Sequence, residues 1–298
     1  MSSSLLILLA SFIWSLDTLW RYPLLEKGYG PFTIVLWEHL LTLFLLAPFF
    51  WAIFLERKLY QGKILFSLFF IGIFGSCWAT LALTAAYQYL NPSIVILLFK
   101  LQPIAVILLA RTFLKEKISR EFLFCFLCSL VGVVLLSYTD ESFSFFTHQP
   151  AMIGLVLSVF AALSWGVTTV LGRYVAMDHE FKPYQIAGLR YFFGLVGCLL
   201  VVGLQDKSFH QHLMAIKDFQ FARSLLVIVF MTALISMVVY YKGLRRTPAK
   251  IATIMEMFFP LFALVINYFA LGIKLNFMQM LGALILIISA FVIQRKTV

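Results

Sequence analysis

Residues 10–18 read Ala10-Ser-Phe-Ile-Trp14-Ser-Leu-Asp17-Thr18, and residues 161–169 read Ala161-Ala-Leu-Ser-Trp165-Gly-Val-Thr168-Thr169. Each stretch puts a tryptophan after a run of small and apolar residues and a polar residue three positions later. The match continues downstream. Pro31 is followed seven residues on by Glu38, and Pro183 seven residues on by Arg190; Ala86 and Pro103 correspond to Gly243 and Pro260. The chain therefore repeats with a period near half its length, the pattern of an internally duplicated fold.

The copies lie in very apolar surroundings. Of 298 residues 62% are hydrophobic and only 12% charged, far from the balance of a soluble domain. Cutting the chain where charges and turn residues cluster leaves ten windows, 4–22, 32–54, 64–86, 92–110, 121–138, 151–173, 184–204, 222–241, 249–271 and 277–294. Each has roughly the 17–25 residues a helix needs to cross a bilayer. Five windows per half is an odd number, so successive halves enter the membrane from opposite sides and a shared site falls near the midplane. The expected fold is an all-α integral membrane protein, ten transmembrane helices in two inverted five-helix repeats, 1–140 and 141–298, around a central cavity.

The net charge of +10 reads as topology rather than as a nucleic-acid footprint. With the N-terminus in the cytoplasm, fifteen lysines and arginines fall in inside loops and six outside, the positive-inside bias. Both termini are expected in the cytoplasm, and the first helix, which lacks a basic leader and a cleavage site, is expected to be retained. The cysteines Cys77, Cys125, Cys128 and Cys198 all lie in apolar spans, so neither a disulfide nor a metal is expected, and no cofactor.

The paired tryptophans, the prolines that open the next helix (Pro31, Pro183), the prolines of each fourth helix (Pro103, Pro260) and the run Leu114-Lys-Glu116-Lys-Ile-Ser119 together resemble the drug/metabolite transporter superfamily, EamA type. The resemblance covers nearly the whole chain. It implies a ten-helix alternating-access carrier that moves small metabolites across the cytoplasmic membrane. Two positions depart from the family's pattern. Glu38 stands where an arginine is common, as Arg190 preserves in the second half, and Asp17 stands where a small or amide residue is usual. The acid often found near the last loop of the second half is replaced by Gly272-Ile273, whereas the first half keeps Glu116.

Ionised groups inside a bilayer cost roughly 3 kcal/mol each even on lenient scales, so the few present are functional candidates. Asp17 shares a helix face with Trp14 and Arg21, and either pairs with Arg21 one turn on or serves substrate or proton. Glu38 neighbours Trp37 and His39, and its alternatives are a proton site or a salt bridge to Lys100 or Arg190. Lys100 and Glu256 precede the two prolines of the fourth helices and form a candidate ion pair between repeats. The expected substrate-binding set is Trp14, Asp17, Trp37, Glu38, Lys100, Trp165, Arg190, Tyr191 and Glu256, with Asp17, Glu38 and His39 as proton-coupling candidates. Tyr240 and Tyr241 read either as cavity residues or as interfacial aromatics.

Acids beside aromatic faces suit positive charge. The expected activity is secondary active transport of a small amphipathic metabolite, a cationic or zwitterionic amine such as an amino acid, a polyamine or a quaternary ammonium compound, with proton coupling. No phosphate-binding Gly-x-x-x-x-Gly-Lys motif occurs, so ATP coupling within the chain is not expected. The alternative is an intramembrane lipid-modifying enzyme using His39 with Asp17 or Glu38. The expected partners are the small-molecule substrate and membrane lipids, not nucleic acid.

Overall fold

The structure, a computed structural model, describes residues 2–50, 54–90, 94–95, 98–136, 149–177, 181–205, 209–271 and 276–297; the Lys100 side chain lies outside that description, as do Gly272 and Ile273. Among the described residues all regular structure is helical. The first membrane-length rod, Ser3–Glu26, consists of α1 (Ser3–Ser15) and α2 (Thr18–Glu26), parted at Leu16 and Asp17. There follow α3 (Pro31–Phe50), α4 (Gly62–Ala86), α5 (Gln102–Thr112) and α6 (Arg120–Leu136). The second half contains α7 (Gln149–Met177), α8 (Pro183–Gln205), α9 (Phe219–Leu244), α10 (Ala249–Glu256), α11 (Phe259–Leu271) and α12 (Phe277–Thr297). Six described helices are long and apolar enough to cross a membrane.

Pro31 and Pro183 each begin their helix, where a missing N–H costs nothing. The prolines of the fourth helices stand in the first turn of a helix that follows a break. Pro103 lies at the start of α5, after a 3-10 turn at Phe99–Leu101. Pro260 lies at the start of α11, after α10 stops at Glu256. The helix breaks precede the prolines, so Lys100, Gln102 and Glu256 sit at or beside points where the helical ladder is interrupted.

The usual arrangement of a soluble protein is inverted. Phe44 (74% exposed), Phe124 (69%), Phe66 (62%) and Phe269 (80%) face outward, whereas Arg21, Glu38, His39, Gln102, Arg190 and Glu256 are buried. Water would penalise that surface; hydrocarbon does not, and it leaves the interior as the place for polar groups. Where helices touch, small residues let them close. Gly132 on α6 and Gly282 on α12 face one another so tightly that a Cβ on Gly282 would stand 2.4 Å from the Gly132 carbonyl oxygen, the close approach that membrane helix pairs use.

The helix α4 and the helix α9 each contain an eight-residue π-helical turn, Ile71–Trp78 and Ile228–Ile235. Such turns widen the helix and collect at functional sites. The α4 turn packs along α8, where the buried thiols of Cys77 and Cys198 stand 3.2 Å apart. This packing makes a direct prediction. In a Cys125→Ser/Cys128→Ser background cut by protease within residues 137–148, copper phenanthroline should join the two fragments covalently through Cys77 and Cys198. Fragments that stay separate on a non-reducing gel would contradict the packing of α4 on α8.

Candidate functional site

The helix breaks and the π turns converge on a cavity of about 160 Å³. Its wall includes Trp14, Asp17, Arg21, Glu38, Ser76, Phe99, Gln102, Trp165, Thr168, Thr169, Arg190, Tyr191, Thr232, Tyr240, Glu256 and Phe259. Of the residues expected at the site, the structure thus brings together Trp14, Asp17, Glu38, Trp165, Arg190, Tyr191 and Glu256.

One pole of the cavity is built on Arg21. Its Nε donates to Asp17 Oδ2 at 2.6 Å and its Nη2 donates to Glu38 Oε2 at 2.8 Å and to Asp17 Oδ1 at 3.1 Å. The Thr232 hydroxyl of α9 stands 3.0 Å from Asp17 Oδ1. Asp17 and Arg21 meet because they are one turn apart on the same rod, and Glu38 reaches the same guanidinium from α3. The local pairing of Asp17 therefore holds, while Glu38 pairs with Arg21 rather than with Arg190, which corrects that alternative; the bridge to Lys100, from Glu38 or Glu256, lies outside the described side chains. Arg190, 5% exposed, donates through Nη2 to the Gly75 carbonyl at 3.0 Å.

The other pole is built on Glu256 at the end of α10. Gln102 Nε2 donates to Glu256 Oε2 at 2.5 Å, and the Tyr240 hydroxyl donates to Glu256 Oε1 at 2.8 Å while lying 3.1 Å from Thr169 Oγ1. Tyr240 and Tyr241 are thus buried within the bundle, and the interfacial reading of both is corrected. Aromatic rings wall the space between the poles: Trp14 lies 5.1 Å from Tyr240, and Phe99 stands edge-on to Trp165 at 5.0 Å.

The two tryptophans are fixed in equivalent ways. Trp14 Nε1 donates to the Thr232 carbonyl in the π turn of α9 (3.1 Å), and Trp165 Nε1 donates to the Gly75 carbonyl in the π turn of α4 (2.7 Å). Each indole of one half is therefore clasped by a backbone oxygen of the other. Gly75 must lack a side chain, since a Cβ there would stand 2.2 Å from Thr168 Cγ2.

Two expected site residues lie elsewhere. Trp37 is absent from the cavity wall; its Nε1 donates to the His212 carbonyl at 2.8 Å, because one residue along a helix turns its side chain about 100° from that of Glu38. His39 is likewise outside. Its Nδ1 can only donate to the Val35 carbonyl (2.8 Å), which leaves Nε2 to accept from the Ser76 hydroxyl (3.0 Å), and the ring is closed in by Gly194, whose Cβ would lie 2.5 Å from it. Arg21, Gln102, Thr169, Thr232 and Tyr240 were not in the expected set. A polar residue next to a proline in an apolar span (Gln102) and the second Thr of the repeated stretch (Thr169) were the available signals.

Contacts between distant parts of the chain tie both ends of the bundle. At one end Glu116, beside the left-handed Lys115 (φ 56°), accepts from the backbone N–H of Ala249 (2.7 Å) and Lys250 (3.1 Å), capping the start of α10 across more than a hundred residues. Arg173 donates to the Leu244 carbonyl at 2.6 Å and Arg245 to those of Ala176 and Phe181. At the other end Thr33 meets His212 Nδ1 (2.8 Å) and Trp37 donates to the His212 carbonyl. Nearby, Asp218 caps α9, and the Phe221 N–H and the Tyr29 hydroxyl hold its carboxyl below the usual carboxylate range.

A family model described as the EamA-like transporter family matches residues 1–138 and 152–295. The chain belongs to the EamA-like transporter family. It is 31% identical over 301 residues to a protein of Fusobacterium nucleatum named riboflavin transporter ImpX, with 98% of this chain and 97% of the relative aligned. A Clostridium kluyveri protein named an uncharacterized transporter is 23% identical over 96% of this chain and 91% of its own. A solved crystal structure superposes with a TM-score of 0.75 at 15% identity, covering 97% of this chain and 94% of the other. A family member with these apolar helices is a multi-pass membrane transporter of a small molecule.

Removing one partner of a buried ion pair typically costs about 3–5 kcal/mol. Arg21→Met should therefore lower the thermal unfolding midpoint in detergent markedly, and adding Asp17→Asn and Glu38→Gln should restore much of the loss. An unchanged midpoint in Arg21→Met would show that the three groups do not depend on one another.

Proposed function

We propose that this transporter carries riboflavin or a close neutral flavin by alternating access between two inverted five-helix halves, with both termini in the cytoplasm. The observation that carries the substrate reading is the state of the buried charges. Asp17 and Glu38, the acids that favoured a cationic amine, already share the Arg21 guanidinium. The wall sets Asp17, Glu38 and Glu256 against Arg21 and Arg190. A nearly balanced, desolvated wall favours a neutral solute, since a net charge moved into it would lose its hydration uncompensated. Rings on two sides and amide, hydroxyl and guanidinium groups between them suit a flat heteroaromatic solute with several oxygen acceptors. The relative named as a riboflavin transporter supports the same choice.

The repeated landmarks, the matched π turns and the reciprocal indole clasps support a five-plus-five organisation with the cavity between the halves. Sites that engulf drug-sized ligands measure roughly 300–1,000 Å³, so in the state described here the walls are drawn in and must part to admit a flavin. The fifteen-to-six bias of basic residues supports the orientation, with the Glu116 end facing the cytoplasm. In the Asp17, Arg21 and Glu38 cluster two acids share one base, and the surplus charge is a place for a coupling proton. His39 takes no part in that reading, and with both its ring nitrogens engaged it offers little to the lipid-modifying alternative.

In proteoliposomes the purified protein should take up labelled riboflavin unchanged, with unlabelled riboflavin competing and flavin mononucleotide, choline and spermidine failing to compete. Uptake of choline or spermidine without riboflavin would overturn the substrate reading. An imposed pH gradient should alter the wild-type rate and leave Glu38→Gln indifferent to it. A wild-type rate that ignores the gradient would remove the proton.

A further inference from the structure

Two residues that line the cavity each keep a buried nitrogen without a hydrogen-bond partner: Arg21 Nη1 and Arg190 Nε. Both residues are more than nine-tenths buried, and both line the same cavity. The rest of each head group is committed. Arg21 uses Nε and Nη2 on Asp17 and Glu38, and Arg190 uses Nη2 on the Gly75 carbonyl, with Nη1 at 3.5 Å from the Tyr241 hydroxyl. A charged donor left without an acceptor in a desolvated place is among the most expensive defects a fold can carry, and native structures rarely keep one without a reason.

We infer that these two N–H groups are the substrate anchor, each donating to a carbonyl oxygen of the bound ring. The inference rests on the flavin reading and adds to it the edge of the ring that is recognised. Guanidinium nitrogens have no lone pair to accept with, so they select acceptors and reject the N–H groups of an amine. A pyrimidinedione edge offers two carbonyl oxygens on either side of one N–H. Two donors from separate helices, α2 and α8, are assigned one such oxygen each as the walls part, and the hydroxyls of the sugar-like chain are left for the pole around Gln102 and Glu256. The geometry also explains why both arginines are held so firmly elsewhere. Carboxylates and a π-turn carbonyl fix the planes of the guanidiniums, so that only the unbonded N–H groups are offered.

Isothermal titration of the detergent-purified protein with riboflavin, 2-thioriboflavin and 4-thioriboflavin tests this, since sulfur is a poor acceptor in place of a carbonyl oxygen. The wild type should bind each thio analogue about tenfold more weakly than riboflavin, the size expected for one charge-assisted bond. Arg190→Lys keeps the charge and loses the Nε donor, and should flatten the preference at one of the two ring positions while leaving the other. A wild type that binds all three flavins equally overturns the inference with the flavin reading intact, and so does an Arg190→Lys variant with the wild-type pattern at both positions. If Arg190→Lys does not fold, the wild-type comparison of the three flavins still decides between the outcomes. No binding of riboflavin at all would sink the flavin reading and this inference with it.

Discussion

One guanidinium, that of Arg21, is shared by two carboxylates that the bilayer would otherwise make very costly, and the rest of the site is arranged around it. Asp17 lies at the break between α1 and α2, which frees its side chain to turn inward, while Glu38 comes from α3. Thr232 of the second half adds a hydroxyl to the same carboxylate. The cluster thus ties three parts of the chain through a single buried charge. Excess charge in low dielectric interacts strongly over several ångströms, so the state of this cluster is felt throughout the cavity.

The second constraint is backbone chemistry. Within hydrocarbon, every carbonyl not used by its helix must find a partner. The π turns of α4 and α9 carry the Gly75 and Thr232 carbonyls that receive Trp165 and Trp14, and Arg190 joins the first of these. The bundle ends differ in kind. One is held by a carboxylate on a helix start and by arginines on helix-end carbonyls, the other by hydrogen bonds around His212 beside the Asp218 cap.

Much of this was legible in the residues. The repeat placed Pro31 and Pro183 at helix starts and picked out Trp14 and Trp165, and the scarcity of charge pointed to Asp17, Glu38, Arg190 and Glu256. What the residues could not show was direction. A helix that is apolar nearly all round has no amphipathic face to read, so Trp37 and His39 looked equivalent to Glu38 although they turn away from the cavity. The reach of Arg21 to Glu38 depends on how α2 and α3 pack, and no spacing encodes it. Tyr240 and Tyr241 fell near a predicted helix end, where aromatic residues usually mark the interface, yet packing against α1 and α8 buries them. Gln102 gained its importance from a break that follows no proline but precedes one.

The central claim is that a neutral flavin lies between the tryptophan walls with its carbonyl edge toward the arginine pole. A structure determined with riboflavin present tests it most directly. The account predicts density for the ring system between Trp14 and Trp165, with oxygens within hydrogen-bond distance of Arg21 Nη1 and Arg190 Nε. Density only at the lipid-facing surface, or a ring bound in the cavity with both of those nitrogens still without a partner, would contradict it.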